Sequence, residues 1–255
     1  MQSNLSIVGI QANLVWENAD RNIAFFEKKI STLQASVDLV VLPEMFSTGF
    51  TMNAQKNAQK MNGKTVSWMQ KMAEKYQVAI LGSLVIQDNK SYYNRLVFVH
   101  PSKKIEVYNK RHLFSLAGED KVYTSGTKRL IIEYKGWKIC PLICYDLRFP
   151  VWSRNTENYD VLIYVANWPV ARIKAWDTLL KARAIENMSY VIGVNRVGTD
   201  ANNYDYSGNS LVVNYLGEEL SALKNMEEGI VEATLEKNQQ EEIRRKLSFL
   251  NDIKR

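Results

Sequence analysis

Cysteine, histidine and proline are scarce in this sequence. Its 255 residues include two cysteines, two histidines and five prolines. Two cysteines are too few for the disulfide framework of a small secreted domain. The chain has only two histidines, His100 and His112, and no second cysteine pair, so a zinc site is not expected either. We therefore expect a cytoplasmic protein without a metal or a disulfide scaffold.

Long apolar runs and long basic runs are missing as well. The apolar runs have about the length of strands, far below the ~20 residues that cross a bilayer. The first residues, MQSNLS, do not have the pattern of a signal peptide. The net charge is +6, but the basic residues are scattered and form nothing longer than pairs such as Lys28-Lys29. A scattered excess is typical of a solvated surface, so we expect neither a membrane nor a nucleic acid as partner.

What the chain does contain is a series of short apolar runs separated by turns, without repeats or linkers. Their patterns predict eleven strands, at 6–11, 38–42, 78–85, 95–99, 105–109, 130–134, 138–143, 161–166, 191–197, 210–214 and 230–234. Helical periodicity predicts four helices, at 18–30, 65–76, 171–187 and 239–247. This order favours one α/β domain over residues 1–255, with two sheets face to face and helices outside. A single doubly wound sheet is the alternative.

The two cysteines lie four residues apart in the stretch KICPLICYDLRFP. On a strand their Cα atoms are about 13 Å apart, beyond the about 7 Å that a disulfide allows, and Pro141 disfavours a helix. Cys140 lies inside the apolar run and is predicted to be a core residue. Cys144 ends the run, where α/β folds place reactive groups, and polar neighbours such as Arg148 favour a thiolate. The spacing alone leaves open whether Cys144 is a nucleophile or structural.

Two other strand ends carry candidate chemistry. Glu44, in LPEMF, follows an apolar strand and is partly desolvated by its apolar neighbours, which suits a general base. Lys110, in YNKRHLF, follows an alternating strand. A surface turn and a solvated face are the plain alternatives for these two residues. From the residues alone, His112 is a comparable candidate for the base that activates Cys144.

The stretches LPEMF, YNKRHLF and CYDLRFP occur in this order, and together they resemble the Glu, Lys and Cys signatures of the carbon–nitrogen hydrolase (nitrilase) superfamily. Further similarity runs from QANLVWENADRN to SGNSLVVNYLGE. The resemblance implies a four-layer α-β-β-α sandwich. It implies that Cys144 is the nucleophile, Glu44 the general base, and Lys110 a cation that stabilises the oxyanion together with the backbone N–H of Tyr145. Glu119 resembles the second glutamate of the family, which supports the substrate and the lysine.

Within that superfamily the chain looks like the omega-amidase branch. This resemblance implies hydrolysis of 2-oxoglutaramate or 2-oxosuccinamate to the dicarboxylate and ammonia, through a cysteine thioester. Arg148 is then a partner for the substrate carboxylate, unless it forms an ion pair at a helix start, and Trp168 is an apolar wall. Small-molecule amide and water are the expected partners, and no cofactor is expected. An amidase for another amide, such as deaminated glutathione, and a non-enzymatic binding relative are the alternatives.

Family members usually form dimers through the helix that follows the nucleophile. Phe149, Val151 and Trp152, with Trp176 further on, are candidates for a homodimer surface. Internal packing is the alternative for all four. Arg183 and Glu186, at i and i+3 on the third predicted helix, are interpreted as a structural ion pair.

Overall fold

The computed structural model describes residues 4–223 and 226–254. Fourteen strands and seven α-helices occur within these residues. In chain order they are β1 (Asn4–Gln11), α1 (Ala19–Ser31), β2 (Leu39–Val41), α2 (Ala54–Asn57), α3 (Lys64–Tyr76), β3 (Ala79–Asp88), β4 (Ser91–Val99), β5 (Ile105–Asn109), α4 (Glu119–Val122), β6 (Ile132–Tyr134), β7 (Trp137–Ile143), α5 (Pro150–Ser153), β8 (Val161–Ala166), α6 (Ile173–Asn187), β9 (Tyr190–Asn195), β10 (Val197–Thr199), β11 (Asp205–Ser207), β12 (Ser210–Val213), β13 (Glu219–Leu223), β14 (Gly229–Glu236) and α7 (Lys237–Leu247).

Most strands belong to two six-stranded sheets of similar design. The first sheet has the order β14-β1-β2-β3-β4-β5 and the second has the order β13-β12-β9-β8-β7-β6. In the centre of each sheet, three neighbouring strands are parallel: β1, β2 and β3 in the first, and β7, β8 and β9 in the second. The carboxyl ends of parallel strands meet at one edge, so each sheet presents several loops there.

Alternation along the strands of the first sheet decides which side chains enter which core. Ile7 and Leu39 belong to the core shared with the second sheet. Val8 and Val40, their neighbours in sequence, instead belong to the core under α1 and α3, which includes Phe26 of α1. This is the period of two expected of a strand buried on both faces.

Helix α6 covers the outer face of the second sheet. It approaches so closely that a Cβ on Gly193 of β9 would lie 2.5 Å from Leu180 and 2.8 Å from Trp176. The layers are therefore helix, sheet, sheet and helix. The prediction of two facing sheets is confirmed, and the alternative of one doubly wound sheet is wrong.

All eleven predicted strands and all four predicted helices are present; the strands 105–109 and 161–166 have the predicted bounds, and the other elements are shifted at one or both ends. The predicted strand 191–197 is in fact two strands, because the chain breaks at Arg196, whose N–H donates to the Asn195 side chain at 2.9 Å. The sequence pattern missed β11 and β13. The side chains of β13 lie at an exposed edge, so hydrophobic periodicity had no signal there.

Three of the four candidates for a dimer surface have contacts within the protein. Trp176 is fully buried and packs on Trp168, with ring centroids 5.6 Å apart. Phe149 stacks on His112, while Trp152 donates a hydrogen bond to the Tyr108 hydroxyl. As part of a dimer surface, Trp176 was therefore a wrong candidate, because it fills the space between α6 and the sheet. No helix among the described residues has the length and apolarity needed to cross a membrane.

Candidate active site

Three strand ends bring Glu44, Lys110 and Cys144 into one cluster. Glu44 lies just beyond β2 and Lys110 follows β5, both in the first sheet. Cys144 follows β7 of the facing sheet and begins the 3₁₀ helix Cys144–Arg148. The cluster therefore lies where the loops of the two sheets meet.

The carboxylate of Glu44 is fully buried and each of its oxygens accepts hydrogen bonds. Oε1 accepts from Lys110 Nζ at 2.9 Å and from Asn94 Nδ2 at 2.8 Å. Oε2 accepts from the main-chain N–H of Asn167 at 2.8 Å. Three residues thus hold this carboxylate: Lys110, Asn94 and Asn167. The alternative of a surface carboxylate is wrong.

Lys110 joins two buried carboxylates. Its Nζ donates to Glu44 at 2.9 Å and to both oxygens of Glu119 at 3.0 and 2.9 Å, and only 1% of its side chain is exposed. Burial acts to lower the pKa of Lys110, but the charges of Glu119 and Glu44 outweigh it and raise the pKa above its usual range. Lys110 is therefore a permanent cation, and the alternative of a solvated lysine is wrong.

Glu119 is as buried as its partner and shares the lysine. Besides Lys110, it accepts from the N–H of Phe114 at 2.6 Å and from Asn94 Nδ2 at 3.1 Å. Burial raises the pKa of Glu119, and the negative charge of Glu44 adds to that effect, while Lys110 opposes it. Two carboxylates and one ammonium leave this cluster with a net negative charge when all are ionised.

Cys144 sits on a sharp turn. Its φ is 42°, in the left-handed region that non-glycine residues rarely adopt. Such an outlier at a strand end supports a functional reason for the conformation. Burial of the thiol and the negative charges of Glu44 and Glu119 raise the pKa of Cys144 well above its usual value, and Lys110 only partly offsets them. The expectation that Arg148 favours a thiolate is therefore wrong, because the charges that act most on this pKa are those of Glu44, Lys110 and Glu119.

Cys140 differs from Cys144 in its access to the cavity, which only Cys144 lines. It is fully buried in the core between the sheets, and burial raises its pKa to about 12. Both cysteines are free thiols. The prediction that Cys140 is a core residue is confirmed.

His112 does not turn toward Cys144. Its Nδ1 is 2.8 Å from Asp146 Oδ1, and its ring stacks on Phe149 with centroids 3.7 Å apart. Asp146 also accepts from the N–H of Ile143, the residue before Cys144, at 3.1 Å. His112 thus belongs to the wall that holds the turn at Cys144, and this geometry disfavours a Cys-His pair.

A cavity of about 560 Å³ opens directly above this cluster. Lys110, Cys144 and Asn167 lie at its base. Its lining also includes Tyr145, Arg148 and Trp168, whose roles toward a substrate stay predictions, and Arg172, which the sequence analysis did not single out. The Arg148 guanidinium lies over the Trp168 ring, 5.0 Å from its centroid.

Sequence reasoning missed three residues of this site. Asn94 donates to both Glu44 and Glu119, and Asn167 contacts Glu44 through main chain and side chain. Arg172 ends a short 3₁₀ helix in the loop after β8. The only available signal was position: Asn167 directly follows β8, so the strand-end argument applied to Cys144 applies to it equally.

The sandwich fold and its buried thiol, carboxylate and ammonium groups are those expected of an α-β-β-α hydrolase. Residues 6–245 match the family model described as carbon-nitrogen hydrolase, and this protein belongs to that family. It is 46% identical over 216 residues to "Omega-amidase YafV" of Yersinia enterocolitica, covering 85% of this chain and 84% of that one. It is 34% identical over 251 residues to "2-oxoglutaramate amidase" of Bacillus subtilis, covering 96% of each.

One solved structure is similar in both fold and sequence. It is a carbon–nitrogen hydrolase superfamily protein of Xanthomonas campestris with an arsenic adduct in its active site. The TM-score is 0.96 at 38% identity, over 98% of this chain and 97% of that one. The α-β-β-α prediction and the enzyme class, a hydrolase of carbon–nitrogen bonds, agree with these similarities.

Proposed function

We propose that this protein is an omega-amidase. It hydrolyses the ω-amide of small 2-oxo dicarboxylic acid monoamides, such as 2-oxoglutaramate and 2-oxosuccinamate, to the dicarboxylate and ammonia. The observation that carries the proposal is one cavity with a thiol and an ammonium at its base and the Arg148 guanidinium in its wall. Such a cavity suits an amide that ends in a carboxylate. The relatives named omega-amidase and 2-oxoglutaramate amidase support the same substrate class.

In the first half of the reaction, Glu44 accepts the proton of the Cys144 thiol as sulfur attacks the amide carbon. A raised thiol pKa means that the resting nucleophile is protonated, so attack requires this base. The carbonyl π electrons move to oxygen and give a tetrahedral oxyanion. When it collapses, the C–N bond breaks, Glu44 returns the proton to nitrogen, and ammonia leaves a thioester on Cys144.

In the second half, water takes the place of ammonia. Glu44 accepts a proton from the water as its oxygen attacks the thioester carbon. Collapse of the second tetrahedral intermediate breaks the C–S bond. The carboxylic acid product leaves, and the proton on Glu44 restores the thiol of Cys144, so the enzyme is unchanged after one turnover.

Lys110 stabilises both oxyanions. Its Nζ is held by Glu44 and by both oxygens of Glu119. Because Lys110 also lines the cavity, its positive charge acts on the carbonyl oxygen of a bound substrate. The backbone N–H of Tyr145 is the second donor. Loss of one such donor typically costs roughly 3–4 kcal/mol of transition-state stabilisation.

The direct test is ammonia release from a panel of small amides, with Cys144→Ala as the control. The expected result is fastest release from 2-oxoglutaramate or 2-oxosuccinamate and none above background from the variant. Faster release from neutral amides of similar size, which lack a carboxylate, would overturn the substrate class. Mass spectrometry of quenched reactions checks the thioester on Cys144.

The protein's surroundings are a further part of the proposal. Two free thiols, one of them the nucleophile, suit the reducing cytoplasm, and cell fractionation tests that location.

Val151, 89% exposed on α5 beside the nucleophile turn, supports a homodimer contact there. Light scattering on the protein and its Val151→Glu variant checks this contact: the parent is expected to be a dimer and the variant a monomer.

A further inference from the structure

Two arginines line the cavity, and neither has a partner for its charge in the part of the chain that the structure describes. Among the described residues, the guanidinium groups of Arg148 and Arg172 form no hydrogen bond and no ion pair. Each lies instead over an aromatic ring at 5.0 Å from its centroid, Arg148 over Trp168 and Arg172 over Phe114. An aromatic face orients a guanidinium and leaves its N–H edge available for a planar anion.

The Trp168 ring is fixed from several sides. Its indole N–H donates to the main-chain oxygen of Arg172 at 2.8 Å, and its backbone N–H donates to Asn195 at 2.8 Å. Its ring packs against the buried Trp176. The support under Arg148 is therefore rigid, and the same tryptophan also fixes the backbone of Arg172.

The Phe114 ring is fixed by the catalytic cluster itself. The Phe114 N–H donates to Glu119 at 2.6 Å, and its ring packs on Tyr145 with centroids 5.0 Å apart. Phe114, which supports Arg172, is thus bound to Glu119, and Glu119 in turn is bound to Lys110. A ligand held by Arg172 is consequently positioned relative to the groups that react.

The acids in the cavity do not neutralise these arginines. Glu17 accepts from Thr51 Oγ1 at 2.7 Å and from Lys56 Nζ at 2.9 Å. Asp200 accepts from the Tyr206 hydroxyl at 2.9 Å and from two backbone N–H groups. Both carboxylates have partners of their own, so the positive charge of Arg148 and Arg172 is left for a ligand.

We propose that Arg172 is the second half of a two-arginine clamp that binds the carboxylate end of the substrate. Arg148 and Arg172 hold the carboxylate and the adjacent 2-oxo oxygen, with the amide end directed to Cys144. The inference rests on the proposed function and deepens it: it assigns selection for a short anionic ω-amide to Arg172 as well as Arg148. A neutral amide of the same length fills the cavity without using the clamp.

The test separates the clamp from the reaction by measuring binding of 2-oxoglutarate, the product, by calorimetry. Arg172→Met is expected to weaken binding about 10- to 100-fold, as the loss of a charge-assisted bidentate contact does. Arg172→Lys keeps the positive charge but loses the planar, forked set of N–H donors of a guanidinium. Its affinity for 2-oxoglutarate is therefore expected to lie between those of the parent and Arg172→Met. Arg245→Met, on the exposed face of α7, is the control for a lost charge far from the cavity and is expected to bind as the parent does.

Kinetics give the second readout. In Arg172→Met the KM for 2-oxoglutaramate is expected to rise by the same factor as the dissociation constant of 2-oxoglutarate. Unchanged 2-oxoglutarate binding in Arg172→Met, or no binding to the parent, would overturn the clamp. Product binding that depends on Arg172 without ammonia release from any ω-amide would instead overturn the proposed function and leave the clamp standing.

Discussion

Asn167 binds Glu44 at two points, although 123 residues separate them in the chain. The main-chain N–H of Asn167 donates to Glu44 Oε2 at 2.8 Å, and its side-chain Nδ2 donates to the main-chain oxygen of Glu44 at 2.6 Å. Asn167 follows β8 of the second sheet, whereas Glu44 follows β2 of the first. The main-chain oxygen of Asn167 also lies 4.0 Å from Cys144 Sγ. One residue thus fixes the proposed base relative to the proposed nucleophile across the two sheets.

Replacing Asn167 by Ala should therefore lower kcat more than it raises KM. The variant loses the Nδ2 contact but keeps the backbone contact to the carboxylate, so Glu44 becomes misplaced without being released. We expect kcat to fall on the order of 10-fold, which corresponds to about 1.4 kcal/mol. Steady-state kinetics with 2-oxoglutaramate give the two parameters.

Asn155→Ala is the matched control for loss of a buried asparagine. Asn155 donates to the main-chain oxygens of Tyr159 and Asn187 at 2.9 and 3.1 Å, and it is not part of the cavity. Both variants should lose about 1–3 kcal/mol of unfolding free energy. Only Asn167→Ala should lose kcat per folded molecule, and equal kcat losses in both would contradict a positioning role.

The two cysteines should differ sharply toward a thiol reagent. Cys144 reaches the cavity, whereas Cys140 is fully buried. In the native protein, iodoacetamide should label Cys144 alone, and the rate should still be rising with pH above about 8.5, because the pKa of Cys144 is raised. Labelling of Cys140 should require unfolding. Timed labelling followed by mass spectrometry, with and without urea, measures both rates.

Single serine variants complete that experiment. Cys144→Ser should abolish native labelling and ammonia release. Cys140→Ser should keep turnover per folded molecule while losing about 1–3 kcal/mol of stability, because a hydroxyl enters the core. Native labelling of Cys140 at a rate comparable to Cys144 would show that the assignment of the two thiols is reversed or incomplete.

Lys110→Met should destabilise the protein, and more so as the pH rises. The buried Glu44 and Glu119 would lose their shared cation, a change that typically costs about 3–5 kcal/mol. Burial already raises the pKa of Glu119, and removing Lys110 raises it further. A carboxyl with a raised folded pKa keeps its proton in the folded state after the unfolded state has lost it. The contribution of Glu119 to stability is therefore fully present below the pKa of an unfolded glutamate, about 4.3. It is lost as the pH rises toward the pKa of Glu119 in the folded state.

Urea unfolding at pH 5 and pH 8 measures this difference. The deficit of Lys110→Met relative to the parent should be larger at pH 8. Lys64→Met is the control, because its ion pair with Asp20 is 71% and 73% exposed and should contribute under about 1 kcal/mol at either pH. A deficit of equal size at both pH values would mean that the two carboxylates do not depend on Lys110 for their charge.

The sequence allowed prediction of the elements that have strong periodicity and of the residues that end them. Glu44, Lys110 and Cys144 each follow a strand, so their meeting at one edge follows from strand direction and layer order. Asn94 lies within β4 rather than at its end, and its role depends on which carboxylates the fold brings to it. Arg172 resembles any surface arginine until Phe114 is seen beneath it. Contacts between distant segments thus decide the parts that local patterns could not predict.

Asp146 gives a final prediction, because one carboxylate holds both halves of the site. It accepts from Ile143 N–H at 3.1 Å, just before Cys144, and from His112 N–H at 3.0 Å, just after Lys110. It also accepts from the Tyr108 hydroxyl at 2.7 Å. In Asp146→Asn the amide offers one acceptor oxygen and turns an NH₂ group toward donors, so at least one buried donor is left without a partner. We expect a loss of about 1–3 kcal/mol in unfolding free energy, together with slower native labelling of Cys144 and a lower kcat per folded molecule. Normal labelling and kcat in the folded variant would show that Asp146 stabilises the fold without positioning the nucleophile.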